Sequence, residues 1–187
     1  MPRPFSASFA RRLSSHLKHG GLVAYPTESC YGLGCLPQNV RALQKLVRLK
    51  KRPQHKGMIV IGDGLPRLLP LLQGLSEKQQ RNIAAVWPAP LTYLLPVSPK
   101  APVTLRGKGR SKLAVRVPAH PGARALCRVL RTPLVSTSCN KAGKRPCKTE
   151  REVRRQFGRQ VAIIGGRCGG AKTPSRIVDW ESGKCLR

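Results

Sequence analysis

Short apolar runs, each stopped by proline or glycine, alternate along this chain with segments that repeat at helical spacing, and this alternation restricts the fold more than any other feature. Leu22-Val23-Ala24-Tyr25 reads as a strand stopped by Pro26, and Met58-Ile59-Val60-Ile61 as a buried strand ending at Gly62. Residues 91–97, 113–117, 134–137, 161–164 and 176–178 continue the series. Helical repeats lie between them. Phe5, Phe9, Leu13 and Leu17 recur every four residues ahead of a Gly20-Gly21 stop. Apolar residues at 40, 43, 46, 47 and 49 form one helical face behind Asn39 as cap. Ser76 with Gln79, and Thr149 with Glu152, have the spacing of a capping box. They open helices ending near Trp87, before Pro88, and at Phe157, and another helix spans residues 121–130. The pattern predicts one α/β domain over residues 1–187, with a twisted, mostly mixed sheet flanked by helices.

Charge narrows the function. Lys and Arg number 36 against 7 Asp and Glu, a formal net charge of +29. Only Glu28, Asp63 and Glu77 precede Glu150, which argues against an active centre built on clustered carboxylates. The excess predicts polyanionic partners: nucleotide phosphates, RNA, DNA or an anionic membrane surface. Hydrophobic residues make up 40%, as in a folded chain and unlike a basic tail. No apolar run approaches the ~20 residues needed to cross a bilayer. The 7 cysteines lack paired metal-ligand spacing and read as reduced thiols, packed as small hydrophobes in a cytoplasmic protein. Arg3, Arg11, Arg12 and Lys18 among serines resemble a transit peptide, but the whole chain is poor in acids. The four-residue apolar repeat reads instead as the first helix of the domain.

Polar chemistry gathers at strand ends, where open α/β sheets place their ligands. Pro26-Thr27-Glu28-Ser29-Cys30-Tyr31-Gly32-Leu33-Gly34 puts hydroxyls and a carboxylate beside glycines after the first strand. Lys50-Lys51-Arg52-Pro53-Gln54-His55-Lys56-Gly57 holds 4 cations ahead of a buried strand, a set suited to polyphosphate. Ser136-Thr137-Ser138-Cys139-Asn140 offers neutral hydrogen bonds to ribose, phosphate or an amino acid. Neither a Gly-x-Ser-x-Gly elbow nor a His-Asp pair marks Ser138 as a nucleophile. The glycine-rich residues 165–172 miss the register of a phosphate loop and read as a mobile lid or turn before Ser175.

Taken in order, these stretches resemble the YrdC/TsaC family of threonylcarbamoyl-AMP synthases, in its short single-domain form. The further anchors are Trp87-Pro88-Ala89-Pro90-Leu91-Thr92, Leu113-Ala114-Val115-Arg116-Val117-Pro118 and Ser175-Arg176-Ile177-Val178-Asp179. The resemblance implies a YrdC-like fold with a basic concave surface. It implies synthesis of threonylcarbamoyl-adenylate and pyrophosphate from L-threonine, bicarbonate and ATP, with Mg²⁺ carried on ATP. The product serves N6-threonylcarbamoyladenosine formation in tRNA. Carried over by position, Lys50, Arg52, Ser138 and Asn140 form the core nucleotide site, with Lys50 and Arg52 catalytic. Lys56, Lys112 and Ser175 extend it. Thr27 and Arg116 hold threonine, Arg116 pairing its carboxylate, and Ser136 and Thr137 join them. Contact with tRNA through the basic surface and transient contact with downstream threonylcarbamoyl-transferase proteins are the implied macromolecular partners, with no membrane. The motif's second Thr is Ser29 here, its Gly is Ala89, and the residue between Ser138 and Asn140 is Cys139 instead of Ala.

The competing class is a non-catalytic basic protein that binds double-stranded RNA or tRNA. Cationic stretches at residues 41–56, 100–116 and 141–159 support it. Few aromatics are available to stack on bases, and no RNA-binding motif is present. A carbamoyl-transfer domain of the hydrogenase-maturation type is a third reading, less suited to so short a chain.

Overall fold

The computed structural model describes residues 5–53 and 55–187; Arg3 and Gln54, both used in the sequence reading, lie outside the described residues. The chain opens with α1 (Ala7–Lys18), started by Ser6, whose side chain accepts from the Phe9 amide. Leu13 and Leu17 are buried, and Phe5 and Phe9 stack with ring centroids 5.2 Å apart over the same cluster. The four-residue repeat therefore does form one helical stripe.

β1 (Val23–Pro26) turns back directly into β2 (Tyr31–Gly34), with Pro26 opposite Tyr31 and Val23 opposite Gly34. No strand is predicted over residues 27–34, yet 31–34 form one. Its two glycines hide the strand signal, and at least one of them is required by packing. A Cβ on Gly34 would lie 1.8 Å from the Val135 carbonyl oxygen, so only glycine lets these backbones approach.

The remaining strands are β3 (Ile59–Ile61), β4 (Leu91–Pro96), β5 (Lys112–Arg116), β6 (Leu134–Ser138), β7 (Ala162–Ile163) and β8 (Arg176–Asp179). Among the described residues they make one 8-stranded sheet in the order β7-β1-β2-β6-β3-β5-β4-β8. β6 joins the two halves: Thr137 and Ser138 pair antiparallel with β2, and Leu134 to Ser136 pair antiparallel with β3. β3–β5, β4–β8 and β1–β7 are parallel and β4–β5 antiparallel, so the sheet is mixed, as the alternation predicts.

Asn39 caps α2 (Val40–Lys50), and both capping boxes form, at α4 (Glu77–Val86) and α7 (Glu150–Phe157). α6 spans Pro121–Leu130. α3 (Leu65–Leu68), the 3₁₀ turn after it (Leu69–Leu71) and α5 (Val103–Arg106) are not predicted, being too short to show a helical period. Successive β1 side chains alternate between two core clusters: Val23 and Tyr25 pack with α1 and α6, Ala24 with α2. Both faces of the sheet are thereby buried, which explains the continuous apolar runs. No helix among the described residues is long and apolar enough to cross a membrane.

Ala89 and Cys139 fit where the family motif has other residues. Lys51 and Arg131 are the non-glycine residues with left-handed backbone among those described, so the Ala89 methyl carries no such strain. Its amide donates to the Val117 carbonyl at 3.1 Å, and Cys139 is fully buried.

Candidate active site

The strands β2, β3, β5 and β6 form the base of a cavity of about 1120 Å³. Gly32 opens its floor, since a Cβ there would lie within 3.2 Å of Tyr25, Ser136 and Thr27 side-chain atoms. Arg52, Lys56, Arg106, Arg110, Arg145 and Lys148 are among the cations that line it. Glu152 is the only carboxylate on the wall among the described residues, and its Oε2 already accepts from the Lys148 and Thr149 amides. The field inside is strongly positive, and an anionic ligand is drawn in.

Nine of the residues carried over from the family pattern lie on this wall: Thr27, Arg52, Lys56, Lys112, Arg116, Ser136, Thr137, Ser138 and Ser175. Thr27 is fixed by the turn it begins, its amide and Oγ1 both donating to the Cys30 carbonyl, at 3.1 and 2.7 Å. Arg116 is buried at 6% exposure, with Nη2 3.5 Å from Glu28 Oε2. Its Nε is buried without a hydrogen-bond partner. Ser175 shares a 3.0 Å hydroxyl contact with Thr92. Arg52 is half-buried, anchored by donation to the Lys56 and Gly57 carbonyls. Burial, then the like charge of Arg110, lowers its pKa. Lys112 contributes less charge than its type suggests, because Asp179 and Glu181 hold its ammonium at 2.8 and 2.5 Å.

Lys50 and Asn140 are not on the wall. The Lys50 ammonium is buried behind it, donating to the Ser138 carbonyl, the Asn140 carbonyl at 2.8 Å and Asn140 Oδ1 at 3.3 Å. Asn140 Oδ1 also accepts from Ser138 Oγ at 2.7 Å, and its Nδ2 donates to the Lys141 and Lys144 carbonyls. Of the four core nucleotide residues implied by the resemblance, Arg52 and Ser138 face the cavity; the other two brace the turn that presents Ser138. Burial, then the Arg52 charge, pulls the Lys50 ammonium from 10.5 down to about 8. The linkage has a definite sign. Below about pH 8 the fold must hold this proton against desolvation; between 8 and 10.5 the unfolded chain binds more protons, so stability rises with pH. Raising the pH from about 7.5 to about 9.5 is therefore expected to favour wild type over Lys50→Met by about 2 kcal/mol, read by urea unfolding of both. An unchanged difference would mean that Lys50 titrates normally.

Arg106, Arg110, Arg145, Lys172 and Arg187 line the cavity without having been singled out from sequence. Arg187 arrives because residues 184–187 run back along β8, its carbonyl accepting from the Ile177 amide at 2.9 Å. Its guanidinium donates to the Ser175 carbonyl, and burial, then the like charge of Arg116, lowers its pKa. Only the basic clusters at 100–116 and 141–159 signalled Arg106, Arg110 and Arg145, and Lys172 ends the glycine-rich stretch 165–172.

The glycine-rich residues 165–172 are hydrogen-bonded to the turn between β1 and β2 and to the start of β2. Gly169 and Ala171 amides donate to the Thr27 and Glu28 carbonyls, at 3.0 and 2.9 Å, and Tyr31 OH donates to the Gly166 carbonyl at 2.8 Å. The cysteines are free, with Cys35, Cys127, Cys139 and Cys147 buried, and burial pushes the Cys35 thiol up to about 12. Among the described residues no group of three or more His, Cys, Asp or Glu is placed to hold a metal ion.

A sheet packed on both faces, opening on a cavity with a cationic lining and one buried, under-bonded guanidinium, defines an α/β protein with a site suited to anions. The family model described as "Telomere recombination" matches residues 15–187, and the chain belongs to this Sua5/YciO/YrdC family. A threonylcarbamoyl-AMP synthase of Neisseria meningitidis serogroup A is 66% identical over 186 residues, covering 100% of this chain and 98% of that protein. One from Thiobacillus denitrificans is 49% identical, covering 94% and 93%. Among solved structures, P. abyssi Sua5 complexed with L-threonine superposes with a TM-score of 0.83 at 28% identity over 95% of this chain. The chain spans about half of that structure, 53% of its length.

Proposed function

We propose that this chain is a threonylcarbamoyl-AMP synthase, a nucleotidyltransferase that joins L-threonine, bicarbonate and ATP and releases pyrophosphate. The observation that carries the reading is Arg116: a buried guanidinium, short of one partner, in the floor of a cationic cavity. An arginine fork on such a wall matches a carboxylate in two parallel bonds. Relatives named for this product at 66% and 49% identity, and a structural relative that binds L-threonine, support it further.

The chemistry needs no enzyme nucleophile. The threonine amine, losing a proton, attacks the bicarbonate carbon; hydroxide leaves as water, and a carbamate remains. A carbamate oxygen then bonds to the α-phosphorus of ATP while the bond to the pyrophosphate oxygen breaks. Arg116 fixes the carboxylate, with Thr27, Ser136 and Thr137 around the amino acid. Arg52 and Lys56, with Arg106, Arg110 and Arg145 nearby, neutralise the triphosphate as charge builds on the leaving group. Ser138 and Ser175 offer hydroxyls to the nucleotide. Mg²⁺ carried on ATP would neutralise phosphate charge, and no residue of this chain is assigned to hold it.

Purified protein with L-threonine, bicarbonate and Mg-ATP is expected to release pyrophosphate only when all three substrates are present. Release independent of threonine, or none, would reject the reading in favour of a basic RNA-binding protein. The cations of residues 141–159 that lie away from the cavity also support contact with tRNA through the outer surface. Retention of tRNA should then fall steeply with added salt; salt-insensitive retention would exclude that contact.

A further inference from the structure

Glu28 is the one acid in the turn between β1 and β2, and it does not line the cavity. Its side chain turns instead toward the end of β5 and meets that segment twice. Oε1 accepts from the Ala119 amide at 2.8 Å, and Oε2 lies 3.5 Å from Arg116 Nη2, buried and without a hydrogen bond. The backbone on either side is held as well, since the Gly169 and Ala171 amides donate to the carbonyls of Thr27 and Glu28. Thr27, Ser29, Cys30 and Arg116 all line the cavity, and Glu28 spans between the two elements that carry them.

The electrostatic setting makes this brace necessary. Arg116 is buried among cations, with Arg187 a near neighbour of like charge. A buried guanidinium needs a counter-charge, and repulsion would otherwise turn it toward solvent. Glu28 is the only carboxylate paired with it among the described residues. We propose that Glu28 is a positioning residue for L-threonine: its carboxylate holds the Arg116 guanidinium in the cavity floor and sets its separation from Thr27, so that the amino acid's carboxylate meets a pre-oriented donor. Glu28 itself touches no substrate. The inference rests on the function proposed above, because it takes L-threonine as the ligand of Arg116.

Glu28→Gln keeps the size of the side chain and an acceptor for the Ala119 amide, and removes only the charge. Removing the charge that orients a buried guanidinium disturbs a buried charge pair, so the L-threonine Kd should rise by roughly 10- to 100-fold. The Kd of a non-hydrolysable ATP analogue should stay within about twofold, because Glu28 lies on the amino-acid side. Glu28→Asp, which keeps the charge on a shorter stem, should recover part of the loss. In an Arg116→Met background Glu28→Gln should weaken L-threonine no further, since its effect passes through Arg116. Calorimetric titration of the full chain reads all four variants, and thermal midpoints identify any loss of fold. An unchanged L-threonine Kd in Glu28→Gln, an equal loss for the ATP analogue, or a full additional loss in the Arg116→Met background would each overturn the proposal. Wild type that binds L-threonine without making pyrophosphate would remove the proposed activity and leave the Glu28 test standing. Wild type that does not bind L-threonine would overturn both.

Discussion

Arg116→Met is expected to lower threonine-dependent pyrophosphate release by roughly 100- to 1,000-fold, the size of effect seen when one partner of a buried, hydrogen-bonded charge pair is removed. Two losses are folded into that number and can be separated. The first is the contact with the threonine carboxylate. The second is structural: Glu28 is left in a nearly closed site, its side chain only 12% exposed, without its cation. An unpaired buried charge costs about 3–5 kcal/mol, enough to lower the melting temperature by several degrees. Adding Glu28→Gln to Arg116→Met removes the orphaned charge and should return most of the melting temperature while activity stays low. If activity returned along with stability, Arg116 would be a structural residue and the carboxylate would bind elsewhere.

Arg52→Gln should produce the opposite pattern, a loss of turnover with little loss of fold. The guanidinium is held by two backbone carbonyls from the residues just after it, and faces the cavity from a half-buried position. Those bonds contribute about 1 kcal/mol each and Gln can replace part of them, so the melting temperature should move little. Removing a pre-oriented donor from the site of developing negative charge typically lowers kcat by about 100- to 1,000-fold. We expect kcat to fall in that range with the L-threonine Kd unchanged. A fall in L-threonine affinity equal to the fall in kcat would place Arg52 on the amino-acid side and reject the division of the cavity drawn here.

Helices were legible in the sequence because their signals are local. Asn39 before its apolar stripe and the Ser76–Gln79 and Thr149–Glu152 pairs each act within one turn, and the structure contains all three caps. β2 was not legible, since Gly34 answers to a backbone more than a hundred residues away and looks, locally, like loop. The site divides in the same way. Motifs brought Thr27, Arg52, Arg116 and Ser138 to the cavity because each sits at a strand or helix end that aims it there, and Ser136 reaches it from the middle of β6. A motif shows which residue type occupies a position but not where the side chain points, and this is why Lys50 and Asn140 read as nucleotide ligands and yet stand behind Ser138. Arg187 carried no signal at all: its place depends on the chain end returning along β8.

β6 is the seam of the sheet, and its position in the chain has a consequence for biosynthesis. β1, β2 and β3 all leave the ribosome before residues 134–138, yet β2 and β3 meet only through that later strand. Until it emerges, the first third of the chain presents open strand edges. Pairings so distant in sequence form slowly, and exposed edges are the usual starting point for aggregation. A nascent chain truncated before residue 134 should therefore remain protease-sensitive and chaperone-bound, and resistance should appear in one step once β6 is free to insert.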